Sequence, residues 1–128
     1  MKHYDDIAAD DFYEMALEWI NSRNHEKAVV CLEKAIELNP NFIYAYITLA
    51  ETLGKDKNYV KAFQTLKKAS KRDPHFDHLH YLAAKYAYKS GDYIAALKYI
   101  DIAISINPAP LYIKGKDVII RARRNPAR

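Results

Sequence analysis

The segments Ala28-Val29-Val30-Cys31-Leu32-Glu33-Lys34-Ala35-Ile36-Glu37-Leu38-Asn39-Pro40, Ala62-Phe63-Gln64-Thr65-Leu66-Lys67-Lys68-Ala69-Ser70-Lys71-Arg72-Asp73-Pro74 and Ala96-Leu97-Lys98-Tyr99-Ile100-Asp101-Ile102-Ala103-Ile104-Ser105-Ile106-Asn107-Pro108 decide the fold. Each opens on alanine, carries a large aliphatic residue four places on and a second alanine three places later, and ends on proline; the step between them is 34 residues. The same step aligns Phe12, Tyr46 and His80, then Met15, Leu49 and Ala83, then Ala16, Ala50 and Ala84. Small and large apolar residues in fixed order at a period of this length mark a stack of helical hairpins. Such a stack presents a surface rather than a pocket, which points to binding another chain.

Helical spacing runs through each repeat. Phe12, Met15, Ala16 and Trp19 fall on one face of a first helix, and Asn21-Ser22-Arg23-Asn24 interrupts the pattern. A second helix then carries Ala28, Leu32 and Ala35 on one stripe. It stops at Asn39-Pro40, because proline disfavours helix in the residue before it and has no N–H to donate. Asp73-Pro74 and Asn107-Pro108 repeat the stop, and Gly91 supplies the glycine that a helix end prefers. The small alanines let paired helices approach, while the large residues fill the space between them. Tyr46, Tyr59 and Tyr93 are expected to be packing residues.

On these residues the chain resembles the tetratricopeptide repeat (TPR) family. The resemblance implies an all-α, right-handed superhelical solenoid of three helix-turn-helix repeats followed by one solvating helix. It places the repeats at about 9–42, 43–76 and 77–110 and the capping helix at about 111–124, within a single domain spanning 1–128. Alanine replaces the family glycine at Ala16, Ala50 and Ala84. Leu53 and Ala87 stand where a second aromatic is usual, and His80 takes the first aromatic place of the third repeat. None of these departures conflicts with helix or packing logic. Asp11 and Glu18 replace the apolar residues of later repeats, as expected if nothing precedes the first. In the last helix Lys114, Asp117 and Arg121 stand where a further helix would otherwise dock, and Ile113, Val118 and Ile120 are expected to cover the third repeat.

Arrays similar to this one bind peptides in a concave groove lined by first helices. That places a peptide-binding groove at Tyr13, Leu17, Tyr44, Ile47, Glu51, His78, Tyr81, Lys85, Tyr88 and Tyr112. Tyrosine suits the task, with a large contact area, few rotatable bonds and a hydroxyl. The best-known family ligand, the acidic tail of heat-shock chaperones, is gripped by a clamp of lysine, asparagine and arginine. The matching places here hold Tyr13, Leu17, Thr48, His78 and Leu82, which argues against that ligand.

Charge is graded along the chain: residues 1–40 carry net −5, residues 41–76 net +4 and residues 77–128 net +5. Such a gradient orients a partner more than it adds affinity. The run Lys55 to Arg72 lies on a turn and an outer helix, where solvation explains it, and no aromatic is interleaved among Arg121, Arg123, Arg124 and Arg128, so nucleic acid is not the expected partner. His75, His78 and His80 lack a cysteine or carboxylate at ligand spacing, so neither metal nor other cofactor is expected. Cys31 is the only cysteine, and no nucleophile, phosphate-loop or metalloprotease motif occurs, so an enzyme is not expected. With neither a leader nor a membrane-length apolar run visible, a cytoplasmic location is expected.

The leading expectation is therefore an adaptor that binds a peptide segment of a partner protein. The alternative is a self-associating scaffold, a homodimer through the convex face at Ile94 and Ile102, which lie two helical turns apart on one face. A secretion-type chaperone is a further alternative, on repeat number alone.

Overall fold

The computed structural model describes residues 4–125, with side chains from Ala8 onward. Among them are seven α-helices and no strand: α1 (Tyr4–Asn21), α2 (His25–Leu38), α3 (Ile43–Lys55), α4 (Tyr59–Arg72), α5 (Asp77–Ser90), α6 (Tyr93–Ile106) and α7 (Pro110–Arg124). The fold is all-α, and the helices follow the hairpin order that the sequence period predicts. The chain divides between Asn58 and Tyr59 into two compact units.

In the first unit α1 and α2 form a hairpin and α3 packs on α2. The contact surfaces are built on Ala9, Ala16, Ala28, Leu32, Ala35 and Ala45, all fully buried. In the second unit α4 packs on α5, α5 forms a hairpin with α6, and α7 lies mainly on α6. Ala62, Leu66, Leu79, Ala96, Ile100 and Ala103 are fully buried. The alanine stripes read from the sequence are thus the residues on which helices meet. Cys31 is buried and unbridged.

The turns recur with the same period as the core. Arg23 (φ 60°), Lys57 (φ 62°) and Gly91 (φ 89°) all sit in the left-handed region. After each, the next residue's N–H reaches back to a helix carbonyl: Asn24 to Trp19 (2.9 Å), Asn58 to Leu53 (2.9 Å) and Asp92 to Ala87 (2.9 Å). This geometry satisfies orphan carbonyls at a helix end. Asn24 and Asp92 then cap the next helix, their side-chain oxygens accepting from Lys27 N (3.2 Å) and Ala95 N (3.1 Å). Only Gly91 was legible as such a position. Arg23 and Lys57 adopt the conformation against their own preference, because the turn dictates it.

The proline turns are also pinned in register. Tyr46 donates its hydroxyl to Pro40 O at 2.7 Å. His80, one repeat on, reaches Pro74 O at 2.8 Å through Nε2. A carbonyl only accepts, so Nε2 carries the proton. The imidazole takes over the tyrosine's bond, while its buried Nδ1 has no partner among the described residues. Tyr46 and His80 are both core residues.

The last helix is turned differently from expectation. Tyr112 and Ile119 are its buried residues, whereas Ile113 and Val118 remain 52% and 48% exposed. Two contacts accompany this face: α7 packs mainly on α6, and Tyr112 donates a 2.6 Å hydrogen bond to Asp77 of α5. The line through Tyr112 and Ile119 thus faces inward, and Ile113 and Val118 face out. Ile120 is half-buried.

The left-handed positions yield a paired stability prediction. Glycine visits this region without the Cβ clash that other residues meet there. Lys57→Gly is expected to stabilise the chain by about 0.5–1 kcal/mol. Gly91→Ala, where an added Cβ meets nothing within 4 Å, is expected to cost about 1–2 kcal/mol from backbone conformation alone. Urea titration of both variants checks the signs.

Candidate functional site

The residues expected to line a groove lie on α1, α3, α5 and α7. In the first unit the Tyr13 and Thr48 hydroxyls are 3.1 Å apart, tying α1 to α3. The Tyr13 ring tilts against Phe42 at 4.9 Å. Ile47 is buried in α3, so its contribution is to packing. Leu17, Tyr44 and Glu51 are exposed, Tyr44 to 62%.

The second unit carries a denser arrangement. Phe76, His78, Tyr81 and Tyr112 form a ladder of rings, with centroid separations of 6.0, 6.2 and 5.0 Å in that order. Tyr88 continues along α5 and leans on Tyr93 at 5.8 Å. Between α5 and α7 a cleft of about 150 Å³ opens beside this ladder. Tyr81, Lys85 and Tyr88 form its α5 wall, all three expected from the sequence. Gly115, Val118 and Ile119 form its α7 wall, and Ala84 and Ile100 also line it. None of these five was expected from the sequence to line a groove; Ala84, Ile100 and Val118 were read as packing residues. Gly115 was the available signal, a glycine inside a helical pattern. The others belong to the cleft only because α7 is turned as it is.

Charges of both signs surround the ladder, with a lysine at the cleft itself. Lys85 stands at the cleft, its Nζ 5.5 Å from the centroid of the Tyr86 ring, and Lys89 lies one turn on with its Nζ 5.5 Å from that of Tyr59. Among the described residues no acidic side chain lines the cleft. Lys116 is engaged at 2.7 Å with Asp101. The Tyr112 hydroxyl is committed to Asp77, which also accepts from Asn107 Nδ2 at 3.1 Å. Those two bonds, that from Tyr112 foremost, hold Asp77 below the usual carboxylate range. Burial, then the hydrogen bond to Asp77 and its charge, push Tyr112 up to about 12. Tyr112, 6% exposed, therefore fixes α7 against α5 and braces Tyr81. His78 is exposed and stacks on Tyr81. Ile94 and Ile102 lie elsewhere, on α6, the first exposed and the second half-buried. Among the described residues no cluster of histidine, cysteine and carboxylate side chains has the makings of a metal site. Nor is any helix there long and apolar enough to cross a membrane.

Hairpin order, period and capping helix together define a helical-repeat domain of tetratricopeptide type. The chain belongs to the family described as anaphase-promoting complex, cyclosome, subunit 3, which matches residues 13–103. Among solved structures, it is similar to the N-terminal domain of stress-induced protein-1 (STI-1) from C. elegans. The TM-score is 0.85 and the identity 21%, covering 92% of this chain and 98% of that one. It is also similar to the first TPR of Spaghetti (RPAP3), solved bound to the HSP90 peptide SRMEEVD. Here the TM-score is 0.83 and the identity 14%, over 97% of this chain and 99% of the other. A third likeness is to MamA 41-end from Desulfovibrio magneticus RS-1, with a TM-score of 0.78 and 20% identity, covering 95% and 68% of the two chains. At these identities the likeness is one of fold. No curated protein matches the sequence.

The Asp77–Tyr112 bond makes stability depend on pH at both extremes. Tyr112→Phe is expected to cost about 1.5 kcal/mol near neutrality, as for a hydrogen bond to a charged acceptor. Asp77, with its value lowered by folding, contributes above about pH 4 and loses that contribution as pH falls through its folded value. Tyr112, with its value raised, contributes below about pH 10 and loses that contribution as pH climbs. The stability gap between wild type and Tyr112→Phe should therefore be widest at intermediate pH and narrow towards both ends. Denaturant titrations across pH check this, and a constant gap would show that the bond does not form.

Proposed function

We propose that this chain is a non-catalytic adaptor that captures a peptide segment of a partner protein on the face presented by its first helices. The observation that carries the reading is the α5–α7 cleft with its ring ladder, where Tyr81 and Tyr88 are half-buried beside an apolar recess. Rigid aromatic anchors at a partly desolvated recess are where binding energy concentrates in protein interfaces. The Spaghetti domain seen with an HSP90 peptide supports peptide capture on such a fold. The capture proposed here differs in chemistry. Tyr13, Leu17, Thr48, His78 and Leu82 offer no lysine, asparagine or arginine at the clamp places, and Tyr13 and Thr48 are engaged with each other. We place the peptide surface at Tyr13, Leu17, Tyr44, Ile47, Glu51, His78, Tyr81, Lys85, Tyr88 and Tyr112. Within it, Ile47 and Tyr112 act as supports and the others as contacts.

Self-association is the second reading, favoured by one observation: Ile94 is 72% exposed on α6. If it forms an interface with Ile102, the double variant Ile94→Lys/Ile102→Lys should lower the mass seen by light scattering while leaving the circular dichroism spectrum intact. A wild type that stays monomeric at high concentration removes this reading.

For the adaptor reading, Tyr81→Ala is expected to weaken partner binding roughly thirtyfold, about 2 kcal/mol. The variant also gives up its stack on Tyr112, so affinity is compared well below both melting temperatures. Lys68→Ala, exposed on α4, should leave affinity within twofold of wild type, about 0.4 kcal/mol. Calorimetric titration of both variants with an isolated partner segment decides, and loss at Lys68 with none at Tyr81 places binding on the second helices.

A further inference from the structure

We infer that the cleft between α5 and α7 is an anchor subsite for one branched aliphatic or methionine side chain of an acidic peptide segment, and that Gly115 holds it open. The inference rests on the peptide-capture reading and goes beyond it by naming the anchor, the flanking charge and the residue that sets specificity.

Gly115 is the pivotal observation. It lies in the interior of α7, where glycine is the poorest helix former after proline. Its backbone is not left-handed. A Cβ built there would stand 3.5 Å from Ile100 Cδ1 and 3.9 Å from Tyr81 Cε1, ordinary van der Waals distances. Neither backbone conformation nor helix packing requires glycine at this place. What its missing side chain does is leave space, since both neighbours of that absent Cβ are cleft residues. The chain thus carries a weakened helix whose one structural consequence is an open recess.

The size and lining of the recess set the anchor. At about 150 Å³ it matches the volume at which an apolar protein cavity admits a benzene-sized group. Ile100, Ile119 and Val118 supply aliphatic contact, and the two tyrosine rings flank it. A leucine, isoleucine or methionine side chain fits this description, while alanine leaves it half empty. Charge sets what flanks the anchor. Lys85 belongs to the cleft itself, Lys89 follows one turn later, and among the described residues no carboxylate lines the recess. Acidic residues beside the anchor therefore meet complementary charge, which speeds and orients docking.

The test uses the full chain and defined probes: acetylated, amidated nonapeptides with a fluorescent label. One set has an Asp/Glu/Ser frame, a second replaces the acids with lysine, and the central residue is Gly, Ala, Leu, Ile, Met or Lys. Fluorescence polarisation should show acidic-frame Leu, Ile or Met probes binding at least about tenfold tighter than their Ala and Gly counterparts and than the lysine-frame set. Gly115→Ala should raise the melting temperature by about 3–5 °C while cutting the Leu-over-Ala preference severalfold. Gly115→Val should abolish that preference, with Gly115→Ala deciding the matter if the valine variant fails to fold. Lys85→Glu should erase the frame preference and keep the anchor order.

An unchanged anchor order in folded Gly115 variants overturns the inference, as does a preference for the lysine frame. Acidic-frame binding with no anchor order overturns the subsite and leaves peptide capture standing. No binding by any probe overturns both.

Discussion

Close approach between helices is the constraint on which the rest of this structure depends. Ala28, Ala35, Ala62, Ala69, Ala96 and Ala103 recur with the period of the chain, and each is fully buried. A methyl group at these places lets backbones come near enough for Leu32, Leu66 and Ile100 to fill the remaining volume. A hairpin alone does not bury both faces of its helices: in the first unit α3 covers α2, and in the second α4 covers α5 and α7 covers α6. The proline turns and left-handed residues matter because they return the chain at the right place for that contact.

Polar bonds then refine what packing permits. Tyr46 and His80 anchor the proline turns through the same carbonyl position in successive repeats. Two chemically different rings thus perform one task, and the histidine leaves a buried nitrogen unpartnered where the tyrosine has no second polar atom. On α7 the Asp77–Tyr112 bond goes with the face that packs on α6. That packing turns a groove-lining tyrosine into a brace and exposes Ile113 and Val118. It also brings Gly115 over Ile100, where its missing side chain opens the recess.

Under the proposed function, stability and recognition fall on different residues. The fully buried alanines and aliphatic residues hold the helices together, whereas Tyr81, Lys85 and Tyr88 stand at the cleft with part of their surface free. A mid-helix glycine facing an open recess fits a wider pattern, in which sites give up some stability for function.

By itself the sequence determined the class of fold, the number and order of helices, and the identity of the alanine core. These follow from period and local chemistry: apolar spacing selects helix, proline ends it, and small residues at a constant step mark the contacts. The α5 side of the cleft was legible for the same reason, since Tyr81, Lys85 and Tyr88 lie on one stripe of one helix. Tertiary structure alone decided the rest. Arg23 and Lys57 carry no local signal for the left-handed region they occupy, because neither is the glycine that visits it freely. Nor did spacing within α7 show which of its faces turns inward. That was decided by tertiary contacts, the packing of α7 on α6 and the bond between Tyr112 and Asp77, residues 35 positions apart, and pairings across such distances leave no trace in the periodicity of either helix.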